Sequence, residues 1–173
     1  MIRRRLHQKI LYELFQLLLK PISWIWFRTQ VRQHKDLESK GGYLLVANHV
    51  SMLDPFWVGM IQKRPVRFMA SSALFQIPLV AGLWRGLGAF PKKKFVKDKQ
   101  SVLSLVEMYE SGQMVAIFPE GLRTWDGRTQ QVRPGIGRLV HRLGARVVVC
   151  RILTGHLLRP RWAKHFRWMP LLM

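Results

Sequence analysis

Short apolar runs at Tyr43–Ala47 and at residues 66–70, 114–118 and 147–152 have the length and composition of buried strands. Helical patterns lie between them. Residues 99–110 place Val102, Leu103, Val106 and Tyr109 on one face, and Ser111 and Gly112 end the stretch. Residues 134–143 open on Pro134, carry Ile136, Leu139, Val140 and Leu143, and stop at Gly144, a common helix terminator. Strands alternating with helices predict an α/β fold, a single domain with a mostly parallel central sheet flanked by helices. That domain is expected over residues 30–173, entered through a polar linker that ends at Gly41 and Gly42.

Residues 1–29 have a different pattern. Leu11, Leu14, Phe15, Leu18, Ile22 and Ile25 recur at helical spacing behind Arg3, Arg4 and Arg5. Glu13, Gln16 and Lys20 interrupt the run, and Pro21 is expected to kink or end the helix. The apolar stretch therefore reads as too short for a transmembrane span, and the interruptions are wrong for a signal peptide. The expectation is an N-terminal amphipathic, membrane-associating segment lying in the interface, with Trp24 and Trp26 at headgroup level. The competing reading is a helix packed on the domain's own core. At the other end, a basic, aromatic stretch at residues 159–168 leaves no room for a further helix and strand, so a naturally short or truncated chain is expected.

Charge changes the picture next. The 173 residues hold 29 Lys plus Arg against 9 Asp plus Glu, a formal net charge of +20. Such a chain attracts polyanions, either nucleic acid or the anionic face of a membrane, and charge alone does not choose. The 7 Trp, most of them beside a basic residue, suit a headgroup layer or base stacking. The single cysteine, Cys150, excludes an internal disulfide and reads as a small buried hydrophobe in a reduced, cytosol-facing protein.

Two clusters carry candidate chemistry. The run Tyr43–Ala47 leads into Asn48, His49, Val50, Ser51, Met52, Leu53 and Asp54. Ligands collect beyond the carboxyl ends of parallel strands, and one helical turn or a tight loop can return the Asp54 carboxylate to the His49 imidazole. That pair is the minimum for general base catalysis. The second cluster, Phe118, Pro119, Glu120, Gly121, Leu122, Arg123 and Thr124, also follows a buried run. Gly121 allows close approach of backbone to ligand, Arg123 can hold a phosphate through two parallel hydrogen bonds, and Glu120 can orient that Arg or accept from a substrate hydroxyl.

Together, and in this order, the clusters resemble the glycerolipid acyltransferase family typified by 1-acylglycerol-3-phosphate acyltransferase. That family carries an Asn-His-x-x-x-x-Asp box, here Asn48 to Asp54, and a Phe-Pro-Glu-Gly-Thr-Arg-Ser box, here Phe118 to Thr124. A Gly-rich block ending in a basic residue is matched loosely by residues 88–94, with Lys94 in place of Arg, and a Lys/Arg-x-Gly turn by Arg133, Pro134 and Gly135. Leu122 stands for the family's Thr, Thr124 for its Ser, and Arg146 and Val149 for prolines of its last block.

The resemblance implies transfer of a fatty acyl group from acyl-CoA or acyl carrier protein to a lysophospholipid hydroxyl, most simply 1-acylglycerol-3-phosphate. It implies His49 as base and Asp54 as its partner. Glu120, Gly121, Arg123, Thr124 and Lys94 are the expected substrate-binding residues, and Asn48, Ser51 and Pro119 the supporting ones. No metal or cofactor is implied, and the expected place is the cytoplasmic face of a membrane. Rival readings are another lysolipid or glycolipid acceptor, a truncated and inactive family member, or a basic nucleic-acid-binding protein. The last lacks a helix-turn-helix, zinc-finger or RNP-type signature.

Overall fold

A computed structural model describes residues 2–32, 41–60, 62–92, 98–157 and 161, with backbone only for residues 2–8, 79 and 80. Its elements run α1 (Ile2–Phe27), β1 (Tyr43–Ala47), α2 (Asp54–Met60), β2 (Val66–Ser71), α3 (Pro78–Gly86), β3 (Ala89–Lys92), α4 (Lys99–Glu110), β4 (Met114–Ile117), α5 (Pro134–Leu143) and β5 (Val147–Cys150). The five strands form one sheet in the order β3-β2-β4-β1-β5, and each recorded strand pair is parallel. The α/β expectation therefore holds.

Alternation along the central strands divides the core into two layers. Tyr43, Leu45, Ala47, Met114 and Ala116 face Val58 of α2 and Trp84 of α3. Leu44, Val115 and Ile117 face Leu105 of α4 and the Ile136, Leu139 and Val140 stripe of α5. The Asp98 side chain caps α4 by accepting from the Ser101 N–H at 3.1 Å, and Gly144 ends α5 in the left-handed conformation at φ 52°. The Gly-rich block was not expected to hold a strand, yet residues 89–92 form β3. Its Pro91 is tolerated because β3 is an edge strand. β5 stops at Cys150, short of the expected residue 152. There the Asn48 side-chain amide takes over the pairing, donating to the Ile152 carbonyl at 2.9 Å and accepting from its N–H at 2.7 Å.

The N-terminal helix bears on two expectations. α1 continues through Pro21 instead of ending there, held on both sides of the proline by contacts to α2. The Tyr12 hydroxyl and the Gln16 amide donate to the Gly59 carbonyl, Phe15 packs on Phe56, and Phe27 meets Trp57 edge-on. Because the helix is unbroken, the 19 residues Lys9–Phe27 are long and apolar enough by length and composition to cross a membrane, and only 17% of that stretch is buried. The outward face carries Leu14, Leu17, Leu18, Trp24 and Ile25, with Leu17 and Trp24 each 71% exposed. Helix packing and exposed apolar surface thus coexist on opposite faces of α1.

Candidate active site

β1 and β4 are neighbours in register, Val46 opposite Ile117, so both clusters leave the sheet at the same edge. β1 releases Asn48 and His49, and β4 releases Phe118, Pro119 and Glu120. The His49 and Phe118 rings stack with centroids 4.4 Å apart. Backbone bonds tie the loops together. Thr124 N–H donates to the His49 carbonyl at 2.9 Å, and His49 N–H donates to Glu120 Oε1 at 3.3 Å.

His49 Nδ1 lies 2.7 Å from Asp54 Oδ2. The same oxygen accepts the Val50 N–H at 2.6 Å and the Ser51 N–H at 2.7 Å. Asp54 stands in the first turn of α2 and reaches back over the loop it closes. Its side chain is fully buried, whereas that of His49 is 21% exposed. A carboxylate on Nδ1 selects the tautomer that leaves Nε2 as acceptor, and the exposed side of the ring is where a substrate hydroxyl can come. Ser51 is buried, and its hydroxyl accepts the Leu53 N–H, so it shapes the loop.

The second loop turns at Gly121, which has φ +75°. A side chain there would collide with the Arg133 guanidinium, whose Nε would lie 2.4 Å from the added carbon. Arg133 closes this turn from outside, its N–H donating to the Pro119 carbonyl at 3.0 Å and its Nε to the Glu120 carbonyl at 3.4 Å. Glu120 is 5% exposed. Burial pushes its carboxyl above the ordinary carboxylate range, and the N–H groups of His49 and Gln130 offset part of that rise. Thr124 is 1% exposed, and its hydroxyl donates to Asp126 Oδ1 at 2.9 Å and accepts the Gly127 N–H at 3.1 Å.

The structure therefore brings together His49, Asp54, Glu120, Gly121 and Thr124, supported by Asn48, Ser51 and Pro119, with Arg123 partly exposed on the same loop. Glu120 and Thr124, expected to touch substrate, turn inward, because the loops must satisfy their own backbone groups between two adjacent strands. Lys94 lies outside the described residues. Phe118, which opens the second cluster, stacks on His49 and belongs to the site's frame, as does Arg133, for which the Arg-x-Gly turn was the only signal. Among the described residues no group of three or more His, Cys, Asp and Glu side chains could hold a metal ion.

Comparison with known proteins gives consistent results. A family model described as Acyltransferase matches residues 28–153. The chain is similar to 1-acyl-sn-glycerol-3-phosphate acyltransferase LPAT1, chloroplastic, of Arabidopsis thaliana, 28% identical over 116 residues, which is 65% of this chain and 32% of that protein. A 1-acyl-sn-glycerol-3-phosphate acyltransferase of Bacillus subtilis (strain 168) is 25% identical over 107 residues, covering 61% of this chain and 54% of that one. The chain thus spans well under two thirds of the length of these relatives. The crystal structure of the 1-acyl-sn-glycerophosphate (LPA) acyltransferase PlsC from Thermotoga maritima shares the fold, with TM-score 0.72 and 21% identity over 93% of this chain and 63% of that chain.

Proposed function

The chain belongs to the acyltransferase family, and on that premise we propose that it moves a fatty acyl group from a thioester donor to the hydroxyl of a lysophospholipid, 1-acylglycerol-3-phosphate in the simplest case. The observation that carries the reading is the 2.7 Å bond between His49 Nδ1 and the buried Asp54 carboxylate, on a loop bonded to the one that bears Arg123. Similarity to the relatives described above supports the choice of acceptor.

In this mechanism His49 Nε2 takes the proton of the acceptor hydroxyl as its oxygen attacks the thioester carbonyl carbon. The new C–O bond forms, the C–S bond breaks, and the departing thiolate recovers the proton from the imidazolium. Asp54 fixes the tautomer and stabilises the transient cation. General base help of this kind contributes about 10²–10⁴-fold, so positioning must supply much of the rest. Arg123 holds the acceptor phosphate, and Lys94 adds a second cation. Glu120 and Thr124 hold the two loops against each other, which their burial favours over substrate contact. The donor is acyl-CoA or acyl carrier protein, both acidic and both suited to a chain of net charge +20.

The exposed apolar face of α1 supports association with a membrane, where the acceptor resides, and the cytoplasmic face is the one proposed. The test is incubation of the purified protein with radioactive acyl-CoA or acyl carrier protein and a set of lysolipids. Label is expected in phosphatidic acid when 1-acylglycerol-3-phosphate is supplied. Label in none of the lysolipids would refute the proposal.

A further inference from the structure

The peptide group joining Arg123 to Thr124 is held from both sides. Its N–H donates to the His49 carbonyl at 2.9 Å, and its carbonyl accepts from Arg161 Nη1 at 2.9 Å. The Arg161 guanidinium also lies over the Trp125 ring, 4.4 Å from its centroid. Arg161 comes from beyond residue 153, where the family match ends. The backbone leading toward it already touches both loops. Buried Gly155 sits so close to Val50 and Asp54 that an added side chain would lie 3.0 Å from Val50 Cγ2 and 3.6 Å from Asp54 Oδ1. Next to it, the His156 ring lies against Gly127.

We infer that Arg161 is a positioning residue for the acceptor. By clamping the Arg123–Thr124 peptide opposite the bond to His49, it sets where the Arg123 side chain leaves the loop relative to the base. The inference rests on the reading of Arg123 as the phosphate ligand. A peptide plane bonded at both ends cannot rotate without losing both bonds. With Arg161 removed, the carbonyl side of the peptide loses this bond, and Arg123 leaves the loop over a wider range of directions. The planar guanidinium suits the task because it bonds a carbonyl in its plane while stacking its face on an aromatic ring.

The experiment compares wild type with Arg161→Ala, Arg161→Lys and Arg123→Ala in steady-state transfer to 1-acylglycerol-3-phosphate and to an uncharged monoacylglycerol. Loss of one charged hydrogen bond corresponds to about a tenfold effect. The expected result for Arg161→Ala is therefore an approximately tenfold rise in KM for the phosphorylated acceptor, with kcat and the donor KM within about twofold. The uncharged acceptor should be unaffected, and Arg161→Lys should recover part of the loss. If Arg161→Ala does not fold, the same comparison is made with Arg161→Lys alone. Unchanged KM in the Arg161 variants beside an impaired Arg123→Ala overturns the inference and leaves the function standing. Equal loss with both acceptors assigns Arg161 a merely structural part and also overturns it. No transfer by wild type removes the functional reading and the inference with it, whereas an unimpaired Arg123→Ala removes Arg123 as phosphate ligand and so overturns the inference alone.

Discussion

Asp54 Oδ2 receives the His49 ring and, at the same time, the N–H groups of Val50 and Ser51. The carboxylate that orients the proposed base is thus also the group that closes the loop carrying it. The proposed catalytic geometry and the local folding depend on one oxygen, so substitutions at these two positions should differ in kind.

Asp54→Asn keeps an acceptor but loses the charge and offers N–H donors on the other side. The fall expected in kcat is about 10²–10⁴-fold, because the imidazole loses the partner that fixes its tautomer. A stability loss of about 1–2 kcal/mol should accompany it, since three charge-assisted bonds weaken. Parallel measurement of kcat and of urea unfolding checks both, and a stability loss with unchanged kcat would limit Asp54 to a loop-closing part.

Asn48 joins β1 to the chain just after β5 through both groups of its amide. Asn48→Ala leaves the Ile152 N–H and carbonyl without these partners, and destabilisation by about 1–3 kcal/mol is expected. Asn48→Asp keeps the acceptor for the Ile152 N–H and replaces the donor, so it should repair only part of the loss. Denaturant unfolding of the two variants against wild type measures this, and equal midpoints would show that the bridge contributes nothing.

Glu120 gives a pH signature. Burial raises its carboxyl in the folded chain above the value of about 4.3 expected when unfolded. The folded state then binds the proton more readily than the unfolded one. The resulting stability is fully present below the unfolded value and is lost as pH rises through the raised folded value. Glu120→Gln removes this titration while keeping an acceptor for the His49 N–H. Thermal midpoints measured from pH 3.5 upward should therefore show wild type losing ground to the variant as pH rises. Parallel curves for the two proteins would contradict the assignment.

The outward face of α1 is open to a direct test. Leu17→Glu and Trp24→Glu each place a carboxylate on an exposed apolar position, away from the contacts that Tyr12 and Gln16 make with α2. Co-sedimentation with vesicles containing anionic lipid should fall several-fold for each, with the fold intact by circular dichroism. Release of wild type should need detergent instead of salt alone. Unchanged sedimentation of both variants would show that this face does not meet lipid.

Much of this architecture was legible in the residues themselves. The apolar runs, the stripes of α4 and α5 and the spacing from Asn48 to Asp54 are local patterns, and local patterns survive folding. The helices α2 and α3 were not read. One is a single short stretch carrying Pro55 and Gly59, and the other opens on Pro78 and holds Gly82 and Gly86, which weaken any helical signal. Judged locally, Pro21 predicts a kink or an end, whereas the helix runs through it with packing against α2 on both sides. The inward turn of Glu120 and Thr124 depends on β1 and β4 lying side by side, although Val46 and its partner Ile117 are 71 positions apart, beyond any local window. Arg161 meets Arg123 across a separation of 38 residues, again beyond any local pattern.

The most direct test of the central claim is the rate of labelled acyl transfer by His49→Ala, measured beside wild type on the acceptor that wild type labels best. Asp54 keeps its bonds to Val50 and Ser51 in that variant, so the fold should hold and vesicle binding should be unchanged. Transfer is expected to drop by at least about 10²-fold. A folded His49→Ala protein turning over near the wild-type rate would contradict the account.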